Sequence, residues 1–253
     1  MQTYLSVTPE DIPQAAQYTL RLVYMAYRIG SGSVLLRQSL PQVQGGFMAI
    51  SDQNAPHIER PEQLCAAVLR ECGRQRYSGV LLDFEETPCS DRKAFVRRLE
   101  ADLRNTGTNL YLPESYAEGT QSASILISTA ISGGSLAERL KEAAAHYGGT
   151  HRLALDIQRI RMDFSLPALS GEGTPLTMEE LRTRMQRESP SLFFSSPLCC
   201  RYFTYIHNQR LHFVMLDDTD TIRQKLRTGS ELGIRTAFLL WPEVKDIAGE
   251  LLQ

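Results

Sequence analysis

Short apolar runs and amphipathic helices alternate along most of the chain, and this alternation restricts the fold more than any other feature. Strand candidates are Leu20–Tyr27, Phe47–Ile50, Val80–Phe84, Asn109–Leu112, Ser124–Ser128, Leu153–Ile157 and Thr236–Trp241. Apolar residues recur at helical spacing in Leu64, Val68, Leu69 and Cys72, in Phe95, Val96, Leu99 and Leu103, and in Leu136, Leu140, Ala144 and Tyr147. Two further helices follow capping residues: Met178, Leu181 and Met185 after Thr177, and Ile222, Leu226 and Leu232 after Asp217-Asp218. Strands separated by helices are what a parallel sheet with crossover connections requires.

At 253 residues the chain has the length at which α/β barrels stand as one domain, so a single (β/α)8 TIM barrel over residues 1–253 is expected. The legible strands fall one short of closure, and Ser33–Leu36 is the candidate for the missing one. Cys200–His207 and Arg210–Leu216 flank the polar pair Asn208-Gln209 and read as a hairpin. A hairpin breaks the parallel order, which places it in a small insertion, about residues 168–216, before the last barrel helix. No linker rich in Pro, Gly or Ser divides the chain.

Lys and Arg total 27 against 29 Asp and Glu, a net charge of −2, which gives no electrostatic ground for a nucleic-acid or anionic-membrane partner. No run approaches the roughly 18 apolar residues of a membrane span, and MQTYLSVTPEDIPQ lacks the basic-then-apolar order of a signal peptide. Either an intracellular protein or a trimmed domain of a secreted one is compatible with that. The 5 cysteines lack CxxC spacing and are expected as reduced, structural thiols. The 5 histidines lack HxxxH or HxH spacing, so neither a metal nor another cofactor is expected. Ser31-Gly-Ser33 and Ser132-Gly-Gly-Ser135 suit turns, the second capping the helix that starts near Leu136. Arg152, Arg159 and Arg161 read as cover for the barrel surface.

The segment Tyr77–Pro88 carries the chemistry, because an apolar strand ends there in three carboxylates, Asp83, Glu85 and Glu86. Side chains two apart share a strand face, so Leu81, Asp83 and Glu85 point one way and Val80, Leu82 and Phe84 the other. If the second set packs against helices, the acids project into the barrel mouth, the face on which such barrels do their catalysis. A neighbouring like charge raises the proton affinity of one carboxyl and suits it to general-acid work. The same acids would equally suit the start of a solvated loop.

Gly79-Val-Leu-Leu-Asp-Phe-Glu85 resembles the strand-four signature DxxDxDxE of family 18 glycoside hydrolases, the chitinase-like superfamily. Ser78 and Leu81 stand at its first two acidic positions, Asp83 at the third and Glu85 at the terminal acid. Met162-Asp-Phe-Ser-Leu-Pro167 is similar to the end of strand seven in the spore-cortex and peptidoglycan-directed N-acetylglucosaminidase branch. Arg201–Tyr205, Asp217–Leu226 and Leu232–Trp241 then follow the family's order of insertion, final helix and strand-eight tryptophan. The likeness spans roughly residues 60 to 245.

The resemblance implies retaining hydrolysis of β-linked N-acetylglucosamine glycans, peptidoglycan or chitin-like, with the substrate's own acetamido oxygen as nucleophile. Glu85 would be the acid/base and Asp83 the partner of the acetamido group. Trp241 would be the stacking floor, or else an ordinary core indole. Tyr24 or Tyr27 would line the site, only one of them if the strand is regular, since they are three residues apart. The branch implies a cell-wall substrate, and with no signal peptide visible the setting is expected to be cytoplasmic or spore-associated, or that of a trimmed secreted domain. Two departures matter: Leu81 replaces an inner acid, and Thr129 in Ile127-Ser-Thr-Ala130 replaces the strand-six tyrosine that positions the acetamido oxygen. Loss of one such contact costs on the order of a hundredfold in rate. A weak or inactive glycan-binding or interaction protein is the alternative.

Overall fold

Period-two alternation sorts the strands' side chains into an inner and an outer layer, and eight such strands close into a barrel. A computed structural model describes residues 1–19, 21–40, 44–167 and 173–252. The barrel strands are β1 (Gln2–Val7), β2 (Leu22–Gly30), β3 (Phe47–Ser51), β4 (Gly79–Asp83), β5 (Asn109–Pro113), β6 (Ser124–Ser128), β7 (Leu153–Ile157) and β8 (Thr236–Leu240). All pair in parallel with their neighbours, and β1 closes the ring against both β8 and β2. Inside lie Val23, Phe47, Ala49, Leu81, Tyr111, Ala154 and Phe238. Outside, Leu5, Val80, Leu82, Ile125, Ile127, Leu155 and Leu239 pack beneath the helices. Full burial of such side chains stabilises by about 1.5–3 kcal/mol each.

The closing strand is Gln2–Val7 at the N-terminus, not Ser33–Leu36. Val34–Arg37 pairs antiparallel with β2 as a hairpin arm outside the ring, where Val34 and Leu36 remain 43% and 38% exposed. Polar Thr3 and Ser6 break up the apolar run of β1, which hides it in the sequence. The first strand candidate began at Leu20, which lies outside the described residues.

The described helices are α1 (Ile12–Ala15), α2 (Pro61–Gln75), α3 (Ser90–Thr106), α4 (Leu136–Tyr147), α5 (Met178–Glu188), α6 (Thr219–Glu231), α7 (Trp241–Val244) and α8 (Ala248–Leu251); α2 to α6 form where the apolar spacing puts them, and the four-residue α1, α7 and α8 had no such spacing to announce them. Ser135 caps α4 by accepting from the Glu138 amide. Thr177 with Glu180, and Asp218 with Thr221, form reciprocal capping boxes on α5 and α6. Between β5 and β6 the link is only a one-turn helix, Glu114–Tyr116. No helix of the described residues is long and apolar enough to cross a membrane.

Between β7 and α6 the chain leaves the barrel and builds an antiparallel sheet. Its strands, in spatial order, are Thr174–Pro175, Arg161–Leu166, Arg210–Leu216, Cys200–His207 and Phe193–Ser195. The hairpin forms as the sequence indicates, and Asn208 and Gln209 take positive φ of 49° and 61°, the turn geometry that matches strand twist. Helix α5 covers one face through Leu181, which joins Phe203, Tyr205, Val214 and Leu216 in a separate small core. The insertion therefore starts near Arg161, earlier than residue 168, and residues 168–172 lie outside the description. Met162–Pro167 consequently belongs to this sheet rather than to the end of strand seven, which stops at Ile157.

Candidate active site

The acids of strand four stand at the mouth of the barrel. Leu81 belongs to the inner layer, while Val80, Leu82 and Phe84 pack outward, the parity that the alternation requires. Asp83 ends β4, and Glu85 follows in the loop to α3. Both line a cavity of about 410 Å3 together with Ser6, Met25, Leu81, Leu126, Asp156, Gln158, Arg159, Phe238, Leu240 and Glu243. The polar groups among these, Ser6, Asp83, Glu85, Asp156, Gln158, Arg159 and Glu243, come from the C-terminal half of a barrel strand or from the segment just after it.

The loop carrying Glu85 is held by Asp52, the residue after β3, whose side chain is fully buried. Asp52 Oδ1 accepts from the Glu85 amide at 2.9 Å and lies 3.4 Å from the Glu86 amide. Its other oxygen lies 3.2 Å from Arg92 Nε on α3. The Tyr116 hydroxyl lies 3.4 Å from Asp52 and 3.1 Å from the Glu86 carbonyl. A buried carboxylate needs such partners to offset its lost hydration, and here they tie β3, α3 and the β5–β6 link to the loop backbone. Sequence reading overlooked Asp52; an acid two residues past the apolar run Phe47–Ile50 was the available sign.

Asp156 was overlooked as well. In Leu153-Ala-Leu-Asp-Ile157 it shares the inner face with Ala154, so its carboxyl enters the cavity from β7. Gln158 Nε2 donates to Asp156 Oδ2 at 2.6 Å, and the Ser128 hydroxyl lies 3.2 Å from Gln158 Oε1. Burial pushes the Asp156 carboxyl up to about 6 against the opposing pull of the Gln158 hydrogen bond. Asp83 is also pushed up to about 6, first by burial and then by the like charges of Glu85, Asp156 and Asp52. Arginines reach the mouth already paired: Arg159 with Asp246 at 2.6 Å and Arg161 with Glu243 at 2.8 Å. The cavity is thus acidic, suited to a neutral ligand on which positive charge develops.

Trp241, Tyr24 and Thr129 do not line the cavity. Trp241 lies one residue beyond β8 and continues its outward parity; it is 2% exposed, packs in the outer layer and meets Tyr18 at 5.7 Å between ring centroids. The aromatic side chain that reaches the cavity from β8 is Phe238. Tyr24 and Tyr27 both pack outward, because a register shift between Met25 and Tyr27 breaks the strict alternation of β2. Tyr27 donates to Glu71 at 2.8 Å, and Met25 takes the cavity position. Thr129 is fully buried and its hydroxyl donates to the Asp156 carbonyl at 3.2 Å, leaving Ser128 as the polar residue of β6 that faces Gln158.

Comparison of the sequence with protein-family models and with curated proteins gives no match. Solved structures do match over almost the whole chain. The spore cortex-lytic enzyme SleL of Bacillus megaterium superposes with a TM-score of 0.65 at 15% identity, over 95% of this chain and 70% of that one. A chitinase of Chromobacterium violaceum gives 0.67 at 13% identity, over 96% and 95%. A Cycas revoluta GH18 chitinase, solved in complex with (GlcNAc)4, gives 0.64 at 12% identity, over 100% and 97%. With an eight-stranded barrel, an antiparallel insertion after strand seven and these superpositions, the chain has the chitinase-like fold of the family 18 glycoside hydrolases.

Proposed function

We propose that the protein is a glycoside hydrolase that cleaves β-linked N-acetylglucosamine-containing glycans, peptidoglycan or chitin-like, by substrate-assisted retaining hydrolysis. The observation that carries this reading is the shared placement of Asp83 and Glu85 on one cavity at the C-terminal end of β4. Glu85 donates its proton to the glycosidic oxygen as the bond to C1 breaks. The substrate's acetamido oxygen bonds to C1 from the opposite side, and the positive charge passes to an oxazolinium ring. Asp83 holds the acetamido N–H and faces that charge. Water then attacks C1, giving its proton back to Glu85 and regenerating the acetamido group. The surplus of carboxyls around the cavity favours such a cationic intermediate and a neutral sugar at the point of cleavage. Phe238 is the apolar floor for the sugar ring.

Leu81 and the outward-turned Thr129 favour a second reading, a glycan-binding protein with a decayed site. Incubation with N-acetylglucosamine oligomers and with purified peptidoglycan strands separates the two. The enzyme reading expects products that disappear in Glu85→Gln, whereas binding without products across such glycans supports the decayed site.

A further inference from the structure

Strand four lacks an acid two residues before Asp83, where Leu81 fills the inner layer instead. The inner face of β7 carries one. Within the described residues that line the cavity, the titratable groups are Asp83 and Glu85 from β4 and its loop, Asp156 from β7, Arg159 from the segment after β7, and Glu243 from α7. Arg159 is committed to Asp246 and to the carbonyls of Asp217 and Glu243, and Glu243 is paired with Arg161. Asp52 stands behind the loop, tied to the Glu85 amide and Arg92. Asp156 has no cation of its own among the described residues, only the Gln158 amide, itself next to the Ser128 hydroxyl. A carboxyl fixed by a neutral donor on a barrel's inner face, opposite a second carboxyl, is a costly arrangement for stability alone.

We propose that Asp156 is a positioning residue of the site, supplying from strand seven the acidic partner of Asp83 that strand four lacks at Leu81. This rests on the glycosidase reading and adds to it a residue outside the strand-four motif. Around pH 6, where both carboxyls are raised, the pair carries less than two full negative charges. Asp83 then stays available to the acetamido N–H, and the growing oxazolinium charge is met without two adjacent anions in the resting site. Burial, then the like charges of Glu85 and Asp156, act to keep a proton on Asp83, while burial raises Asp156 as well.

The test is a carboxyl carbon NMR titration of Asp83 in the wild type and in Asp156→Asn, paired with the pH profile of kcat/KM on an N-acetylglucosamine oligomer. Asparagine preserves shape and removes the charge. The Asp83 midpoint is expected to move down by about half a pH unit. The limb of the pH profile set by this pair should move the same way, with kcat lowered about tenfold and KM changed less. An Asp83 midpoint and a pH profile that both stay in place would overturn the role of Asp156. Absence of turnover in the wild type would overturn the glycosidase reading instead, and the Asp83 titration alone would then decide whether the two acids act as a pair.

Discussion

Asp83 and Asp156 make a pH signature at the level of single residues. Both carboxyls are raised to about 6 in the folded chain, against roughly 4 in an unfolded one. The folded protein therefore binds more protons between about pH 4 and 6, and stability falls as pH rises through that window. Asp83→Asn and Asp156→Asn should each stabilise the protein at pH 7.5, on the order of 1 to 2 kcal/mol, and give no gain at pH 4. Thermal melts of the two variants at both pH values check this. Asp83 and Glu85 were legible because an apolar run with strict alternation fixes which side they take. Asp156 was not, since the polar residues after it gave the stretch the look of a solvated surface. Trp241 and Thr129 were misplaced by one position of parity just past a strand end, which spacing does not reveal. Trp241→Ala is accordingly expected to destabilise by about 3 kcal/mol, as loss of a core indole does, while KM for an oligosaccharide stays unchanged. A large rise in KM with stability intact would put the indole back in the site.

Secondary-structure elements meet at Asp52, which joins β3 to the loop after β4, to α3 and to the short turn between β5 and β6. Removing its carboxylate leaves Arg92, nearly buried, without its anion. Asp52→Ala is expected to destabilise by about 3 kcal/mol in urea unfolding and to lower kcat through a loosened Glu85 loop. The long helices α2 and α3 were legible from apolar spacing alone, α5 and α6 also from their capping boxes, and the hairpin from its two-residue polar turn. β2 was only half legible: its register shift at Met25–Tyr27 turns two tyrosines to one face, and no composition rule announces such a break. β1 was missed because four of its six residues are polar or partly exposed, and because it gains its burial only by closing the ring against β8 and β2.

Across the whole molecule, the insertion is fastened to the barrel by a fully buried ion pair, Lys225 on α6 with Asp217. Asp217 also accepts from the Ile160 amide at 2.9 Å, where the chain enters the inserted sheet. Lys225→Met should leave Asp217 buried and uncompensated and cost about 3–5 kcal/mol. Circular dichroism melts of that variant should show barrel and insertion unfolding together. The barrel itself was legible from strand–helix alternation and length, whereas the start of the insertion was not, because its first strand runs on from β7 after only a short break. Cleavage by Glu85 with the acetamido group as nucleophile is tested most directly by proton NMR of the first products from a tetramer of β-linked N-acetylglucosamine. Initial formation of the β anomer by the wild type and none by Glu85→Gln is the expected result. An initial α anomer, or equal turnover by Glu85→Gln, would contradict it.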